Sequence, residues 1–255
     1  MNRTVLLARK EAGELMLSLR GLTWLLAVAV ALSVFGLLLV SNTELSLLDN
    51  AQVVYDMASI VTALGALLAL VIGIDTVAGE RERGSLVPLL LTPVSRDSIL
   101  FGKLGGVAIA WIVIYALSLP YLWAVGSTGQ NLIEGMVITA VLGSPVVLGF
   151  GFLGVALGCW HSSTRGALLT GLVALILSAS PLLLGPSLRQ SAVGRLFDAL
   201  NPFSAAVNAY DAVMIDSQPY GLQNSHFLVA VIWLILTVWL ARSGFRRVSR
   251  TGAAI

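Results

Sequence analysis

The sequence predicts an all-α, polytopic membrane protein: six helices crossing a bilayer as one transmembrane domain over residues 1–255. Three observations predict it. Mean hydropathy is +0.92 and charged residues make up 11% of the chain, against about 25% in soluble domains. Apolar runs near the roughly 20 residues that a bilayer requires recur along the whole length. The polar connections between them fall well short of the roughly 50 residues of a small domain.

The first twenty residues read as an amphipathic helix. Val5, Leu6, Ala12 and Leu15 can share one face, while Arg9, Lys10, Glu11 and Glu14 tend to the other. Either an interfacial helix on the inner leaflet or a helical extension of the first span fits. Ala27-Val28-Ala29 has the form of a signal-peptide cleavage site. The acidic residues before it and the unbroken apolar run to Val40 favour an uncleaved first span.

The spans are predicted at Gly21 to Val40, Met57 to Ala78, Leu104 to Val125, Ile133 to Gly158, Ala167 to Leu184 and His226 to Leu240. Pro120, Pro145 and Pro181 fall inside three of them and each frees a backbone carbonyl, so a bend or a gate is expected. Gly65, Ala69 and Gly73, and Gly154 with Gly158, repeat at four-residue spacing, which lets helices approach closely. Packing within the chain is the favoured use over a subunit interface. The last outer connection, Gly185 to Ser225, is mixed in character, with a short helix expected around Ala205 to Met214. It can plug or line an exit, or simply rest on headgroups.

An even number of spans puts both termini on one side, and charge chooses the side. Of 15 basic residues, only Arg189 and Arg195 fall on one face, which carries Glu44, Asp49, Asp56, Glu134, Asp198, Asp211 and Asp216. The rest gather in the N-terminal segment, the loop after span 2, the loop after span 4 and the C-terminal tail. The positive-inside rule makes those segments cytoplasmic and implies a multi-pass protein of the plasma (inner) membrane.

The loop after span 2 is the unusual one. It reads DTVAGERERGSLVPLLLTPVSRDSILFGK from Asp75 to Lys103. Its charges exclude it from hydrocarbon. Its middle, Leu86 to Leu91, is too short to span and too apolar to stay in water. Such a stub is expected to dock on the membrane surface or on a partner protein.

Several chemistries are excluded by residue type. Gly79 to Ser85 has the glycine spacing of a phosphate loop, but Ser85 stands where lysine is required and Leu86 where Ser or Thr should hold magnesium. No cofactor is expected in this chain. His161 and His226 fall on opposite sides, so they cannot share a metal. Asp56 and Asp75 lie 19 residues apart on one predicted helix, about 28 Å at 1.5 Å per residue, too far for a carboxylate dyad. Met57, Met136 and Met214 fall near the outer face. A soft-metal path would want them joined by Cys or His, and packing explains them better. Asp75 reads as a structural carboxylate, either positioning the loop through Arg81 or Arg83 or resting at the headgroup boundary.

The Asp75–Lys103 stretch resembles the permease subunits of type-2 ABC exporters, a six-span family that includes nitrous-oxide-reductase-maturation permeases. The resemblance rests on Asp75, Glu80, Glu82, Gly84, Ser85, Leu86, Leu89-Leu90, Thr92-Pro93, Ser95-Arg96 and Gly102-Lys103, with weaker support from Ala8-Arg9-Lys10-Glu11 and Leu200-Asn201-Pro202. Pro88 departs from the pattern. The resemblance implies a separate ABC ATPase subunit, in two copies, that binds ATP and magnesium. It implies a second permease chain, and a coupling helix after span 2 that docks on the ATPase. Leu86, Leu89 and Leu90 would then be buried against the ATPase. Glu80, Arg81, Glu82 and Arg83, with Gly84, Ser85 and Arg96, would complete the docking site as its turn and polar rim. Two functions follow as expectations: substrate translocation, or an ATPase-coupled anchor that transmits movement to an outer-face partner through residues 185–225. A nucleic-acid partner is not expected.

Overall fold

A computed structural model of the chain describes residues 3–41, 50–127, 131–183 and 191–251. Among these residues all regular structure is helical. Glu44, Asp49 and Arg189, and the first residues of the outer segment, lie outside them. Five helical stretches are long and apolar enough to cross a membrane: Gly21–Ser41, Ala51–Glu82, Arg96–Gly126, Leu132–Trp160 and Tyr220–Val248. A shorter apolar helix spans Thr164–Ser180. The chain is an all-α polytopic membrane protein, as its sequence predicts.

Helix α1 (Arg3–Leu17) is separate from α2 (Leu19–Ser41). The break falls at Ser18, whose hydroxyl oxygen accepts from the Gly21 amide at 3.0 Å and so satisfies a donor at the start of α2. The N-terminal helix is thus a separate element and not a continuous extension of the first span. The long hairpin of α3 (Asn50–Ile74) and α6 (Arg96–Gly126) follows, joined by the coupling loop with two short helices, α4 (Glu80–Glu82) and α5 (Leu86–Leu90). Next come α7 (Leu132–Ile138), α8 (Ser144–Trp160) and α9 (Thr164–Leu183). Outer helices α10 (Ala192–Leu200) and α11 (Pro202–Tyr210) lead to the last span, α12 (Asn224–Thr251). The predicted spans are mostly shorter than these helices: α3 begins before Met57, α6 before Leu104, and α12 continues past Leu240 into its basic tail.

The core is built around α3 and α8. A side chain at Gly73 would strike the carbonyl of Gly151, one at Gly154 the carbonyl of Leu70, and one at Gly158 would lie 3.0 Å from the carbonyl of Ile74. The small-residue spacing is thus an intra-chain contact that brings two backbones together. Three single turns of wider π-helix interrupt the ladder: Asp75–Gly79, Thr139–Gly143 and Asp211–Ile215. The second explains Pro145. It stands at the start of α8, just after the π turn, where its missing amide costs no helical bond.

The helix expected around Ala205 to Met214 is present as α11 and the π turn that continues it to Ile215, and a further helix, α10, precedes it. Asn201 caps α11, accepting from the amides of Phe203 at 2.8 Å and Ser204 at 3.2 Å, and donates through Nδ2 to the Ser178 carbonyl at 2.8 Å. Helix α11 is buried along nearly its whole length. Its run of small residues, Ser204, Ala205, Ala206 and Ala209, lets it enter the bundle. Tyr210 is fully buried and its hydroxyl lies 2.9 Å from Thr62 Oγ1 on α3. A connector resting on headgroups would leave this helix half bare, so that reading is set aside.

Candidate functional site

The loop after α3 is held by four consecutive charged residues, each gripping a different element. Glu80 reaches Lys103 of α6 at 2.7 Å, and Lys103 also donates to Glu11 of α1 at 3.1 Å. Arg81 donates to the His161 carbonyl at 2.6 Å and, more weakly, to the Cys159 carbonyl at 3.5 Å. A guanidinium there satisfies the open carbonyls at the end of α8. Glu82 Oε1 accepts from the Thr164 amide at 2.7 Å and caps the start of α9. Arg83 pairs with Asp75 at 3.2 Å across the π turn.

Local chemistry sets this up. The wider turn at Asp75–Gly79 adds a residue to the end of α3, and a side chain at Gly79 would strike Asp75. Helix α4 then closes in a Schellman motif. Gly84 has φ +73, its amide donates to the Arg81 carbonyl at 3.1 Å, and the Ser85 amide donates to the Glu80 carbonyl at 3.0 Å. Gly84 is required because a Cβ is strained at that φ. The motif turns the chain sharply into α5. Ser95 caps α6 by accepting from the Ser98 amide at 3.2 Å.

The interactions differ in weight. Lys103 is fully buried and its two carboxylate partners nearly so. Removing one member of such a cluster costs about 3–5 kcal/mol, since the remainder is left unpaired in low dielectric. Arg83 and Asp75 are 43% and 34% exposed in their side chains, and pairs of that kind contribute under about 1 kcal/mol. The buried trio is therefore the anchor and the Arg83 pair a trim. Burial pushes the Glu11 carboxyl above its usual range, against the opposing pull of Lys103.

The anchor rests on a close helix contact. A Cβ at Gly102, Gly105 or Gly106 of α6 would come within 2.7, 2.8 or 2.8 Å of the Cβ of Leu7, Ala8 or Glu11. Three glycines thus form the groove that receives α1. Nearby, Arg242 of α12 donates to Asp97 at 2.9 Å. The N-terminal helix, the coupling loop, the α8–α9 turn and the final helix therefore meet at one end of the bundle. The four segments that charge alone assigned to one face lie together.

The expected docking residues separate into two groups. Leu86 is 2% exposed and belongs to the chain's own core, so it cannot be a docking side chain. Glu80, Arg81 and Glu82 grip the bundle instead of rimming a partner surface. Leu89 and Leu90 are half-buried, while Arg96 and Ser85 are exposed. The apolar surface facing outward is Val87 at 50% and Leu91 at 75% exposure, with Pro88 between them. The reason is phase: the π turn and the Schellman turn rotate α5 so that its first leucine points inward.

Beside this site lies a cleft of about 650 Å³, lined by α1, α2, α3, the coupling loop, α9 and Ile114 of α6. Its apolar wall includes Trp24, Val28, Leu68, Val71 and Leu168; its polar end includes Glu11, Glu14, Asp75, Glu80, Arg83 and Thr164. Sequence reasoning missed it, because its residues come from four separate stretches of the chain: 11–28, 68–83, Ile114 and 164–168.

The helical bundle is that of a polytopic membrane protein, and the comparisons with known proteins give its family. The family model described as ABC-2 family transporter protein matches residues 5–250; the chain belongs to that family. Among individual proteins it is similar to two named "Probable ABC transporter permease protein NosY". The one from Stutzerimonas stutzeri is 32% identical over 111 residues, covering 42% of this chain and 39% of that protein. The one from Pseudomonas aeruginosa is 31% identical over 163 residues, covering 59% and 56%. The matched stretches thus span about half or less of those relatives' lengths.

Proposed function

We propose that the chain is the membrane-spanning permease subunit of an ATP-driven ABC exporter, coupled to a separate ATPase subunit. The observation that carries this is the coupling loop. It presents an apolar knuckle of Val87, Pro88 and Leu91 outward, while its charged residues bind it to α6, α8 and α9 and pair Arg83 with Asp75 at its own base. A loop built that way converts a push on the knuckle into movement of the bundle. Two ATPase copies and two permease chains form the working unit, with the charged end in the cytoplasm of an inner-membrane protein. Closure of the ATPases on ATP displaces the knuckles. Through Glu80 and Lys103 the movement reaches α1 and α6, and through Arg81 and Glu82 it reaches α8 and α9. The family membership and the similarity to named permeases support the reading.

The test is co-purification with an ATPase co-expressed from the same operon. Val87→Glu and Leu91→Glu should each lose the ATPase while inserting normally, because a charge on the knuckle must be desolvated at the interface. Leu86→Glu should instead destabilise the chain itself. Full retention of the ATPase by both outward variants would remove the docking role.

One observation favours a second reading, the mechanical transmitter. Helix α10 turns Val193, Leu196, Phe197 and Leu200 outward at 78, 62, 43 and 67% exposure, and α11 behind it is tied to α3 by Tyr210. An outer-face partner on α10 would sense movement of α3. ATP hydrolysis without substrate flux in liposomes distinguishes this reading from transport.

A further inference from the structure

The cleft beside the coupling loop has two chemistries in one space. Toward the middle of the bundle its wall is apolar, from Trp24 and Val28 of α2, Leu68 and Val71 of α3, and Leu168 of α9. At the loop end it is ionic. Its volume of about 650 Å³ falls in the roughly 300–1,000 Å³ range of small-molecule sites. The cleft is also reachable, since Trp24 is 44% exposed and the side chains of Asp75 and Arg83 are 34% and 43% exposed. Helices α2 and α9, which flank it, both touch α3, while α2 packs mainly on α6 and α9 mainly on α8. The exposed side chains of both are apolar, among them Leu26 and Val30 of α2 and Leu169 and Val173 of α9, which suits them to acyl chains.

The charge at the ionic end is not balanced. Glu11, Glu14, Asp75 and Glu80 line it. Asp75 is met by Arg83 at 3.2 Å, and Glu14 by Lys10 at 3.4 Å on the exposed side of α1. Glu11 and Glu80 share a single ammonium, that of Lys103. Among the described side chains, four carboxylates thus face three cations, and the unmatched one belongs to the pair that is nearly buried. An ammonium entering from the cleft supplies the missing charge; an anionic head meets the same carboxylates with repulsion. Burial raises Glu11's affinity for a proton, and a bound cation beside it favours the ionised form instead.

We propose that this cleft binds an amphiphile with an ammonium head, taken laterally from the inner leaflet, its tail against Trp24, Val28 and Val71 and its head at Glu11, Glu14 and Glu80. The proposal rests on the permease reading and names the substrate class of that permease.

The test uses the full chain, without ATPase, in nanodiscs of an uncharged glycolipid whose head carries no ammonium. Two probes are compared, a doxyl-labelled alkyltrimethylammonium and doxyl-labelled stearate. The readout is the quenching of Trp24, taken as the fluorescence component lost in Trp24→Phe. The cationic probe should quench that component at about tenfold lower concentration than the anionic one, the scale of one partly desolvated charge interaction. Val71→Phe should abolish the preference by filling the tail wall. Glu14→Gln, on the exposed side of α1, should reduce it severalfold while leaving the fold intact. Equal quenching by both probes, or a preference unchanged by either variant, would overturn the proposal. So would a Trp24 component that neither probe reaches because a second copy of the chain covers the cleft. Because ATPase is absent from this measurement, a negative result alongside normal ATPase co-purification rejects the ligand and leaves the permease reading standing.

Discussion

Lys103 is the residue on which the coupling end turns. Its ammonium is fully buried between Glu80 of the loop and Glu11 of α1. Lys103→Met should therefore lower stability by about 3–5 kcal/mol, by leaving two carboxylates facing each other without a cation. Arg83→Ala should cost under about 1 kcal/mol, because water already screens its pair. Thermal unfolding in detergent measures both, and equal losses would contradict this ranking. At this scale the sequence was partly legible. The run of Glu80, Arg81, Glu82, Arg83 and Gly84 marked the loop as special, and the glycine is explained by its positive φ. The direction of each side chain was not legible. A regular 3.6-residue phase carried through Asp75–Gly79 misplaces everything after it, because a π turn holds one residue more. Leu86 was assigned to a partner on the strength of the resemblance and proves to be core.

Among the elements, α1 and α11 carry the least obvious roles. Helix α1 sits in the glycine groove of α6 with Glu11 buried at the joint. Burial raises the folded-state pKa of Glu11 above its value in the unfolded chain. The folded state then holds more protons than the unfolded state between those two values, so this contribution is complete below the unfolded pKa. It is lost as pH rises through the raised one. Amide exchange in α1 should accordingly quicken as pH rises through that window, after correction for intrinsic exchange, and Glu11→Gln should flatten the trend. An unchanged trend in the variant would mean that Glu11 does not report the joint. The α3–α8 contact gives a simpler expectation. Gly154→Leu forces a side chain onto the Leu70 carbonyl and should abolish folding, whereas the exposed Ile232→Leu should be neutral. Expression with size-exclusion profiles decides between them. The four-residue glycine spacing made that contact readable in advance. Helix α11 was harder, since a nine-residue helix rich in alanine and serine lacks the apolar weight of a buried span. Its burial comes from small volume, not hydropathy.

For the molecule as a whole, the apolar helices were legible because a bilayer leaves few alternatives. Apolar length gave the spans, and charge bias gathered the N-terminal segment, the coupling loop, the α8–α9 turn and the tail at one end. The structure joins those segments through Lys103, Arg81, Glu82 and Arg242. The cleft was not legible, because no single stretch encodes it. The central claim is that this end is cytoplasmic and that its knuckle is covered by an ATPase. The chain's one cysteine, Cys159, is buried, so a Cys159→Ser background carrying Leu91→Cys offers a single exposed thiol. A membrane-impermeant maleimide should label it in inside-out vesicles and not in right-side-out ones, and co-expression of the ATPase should protect it. Labelling from the outer side, or equal labelling with and without the ATPase, would contradict the account.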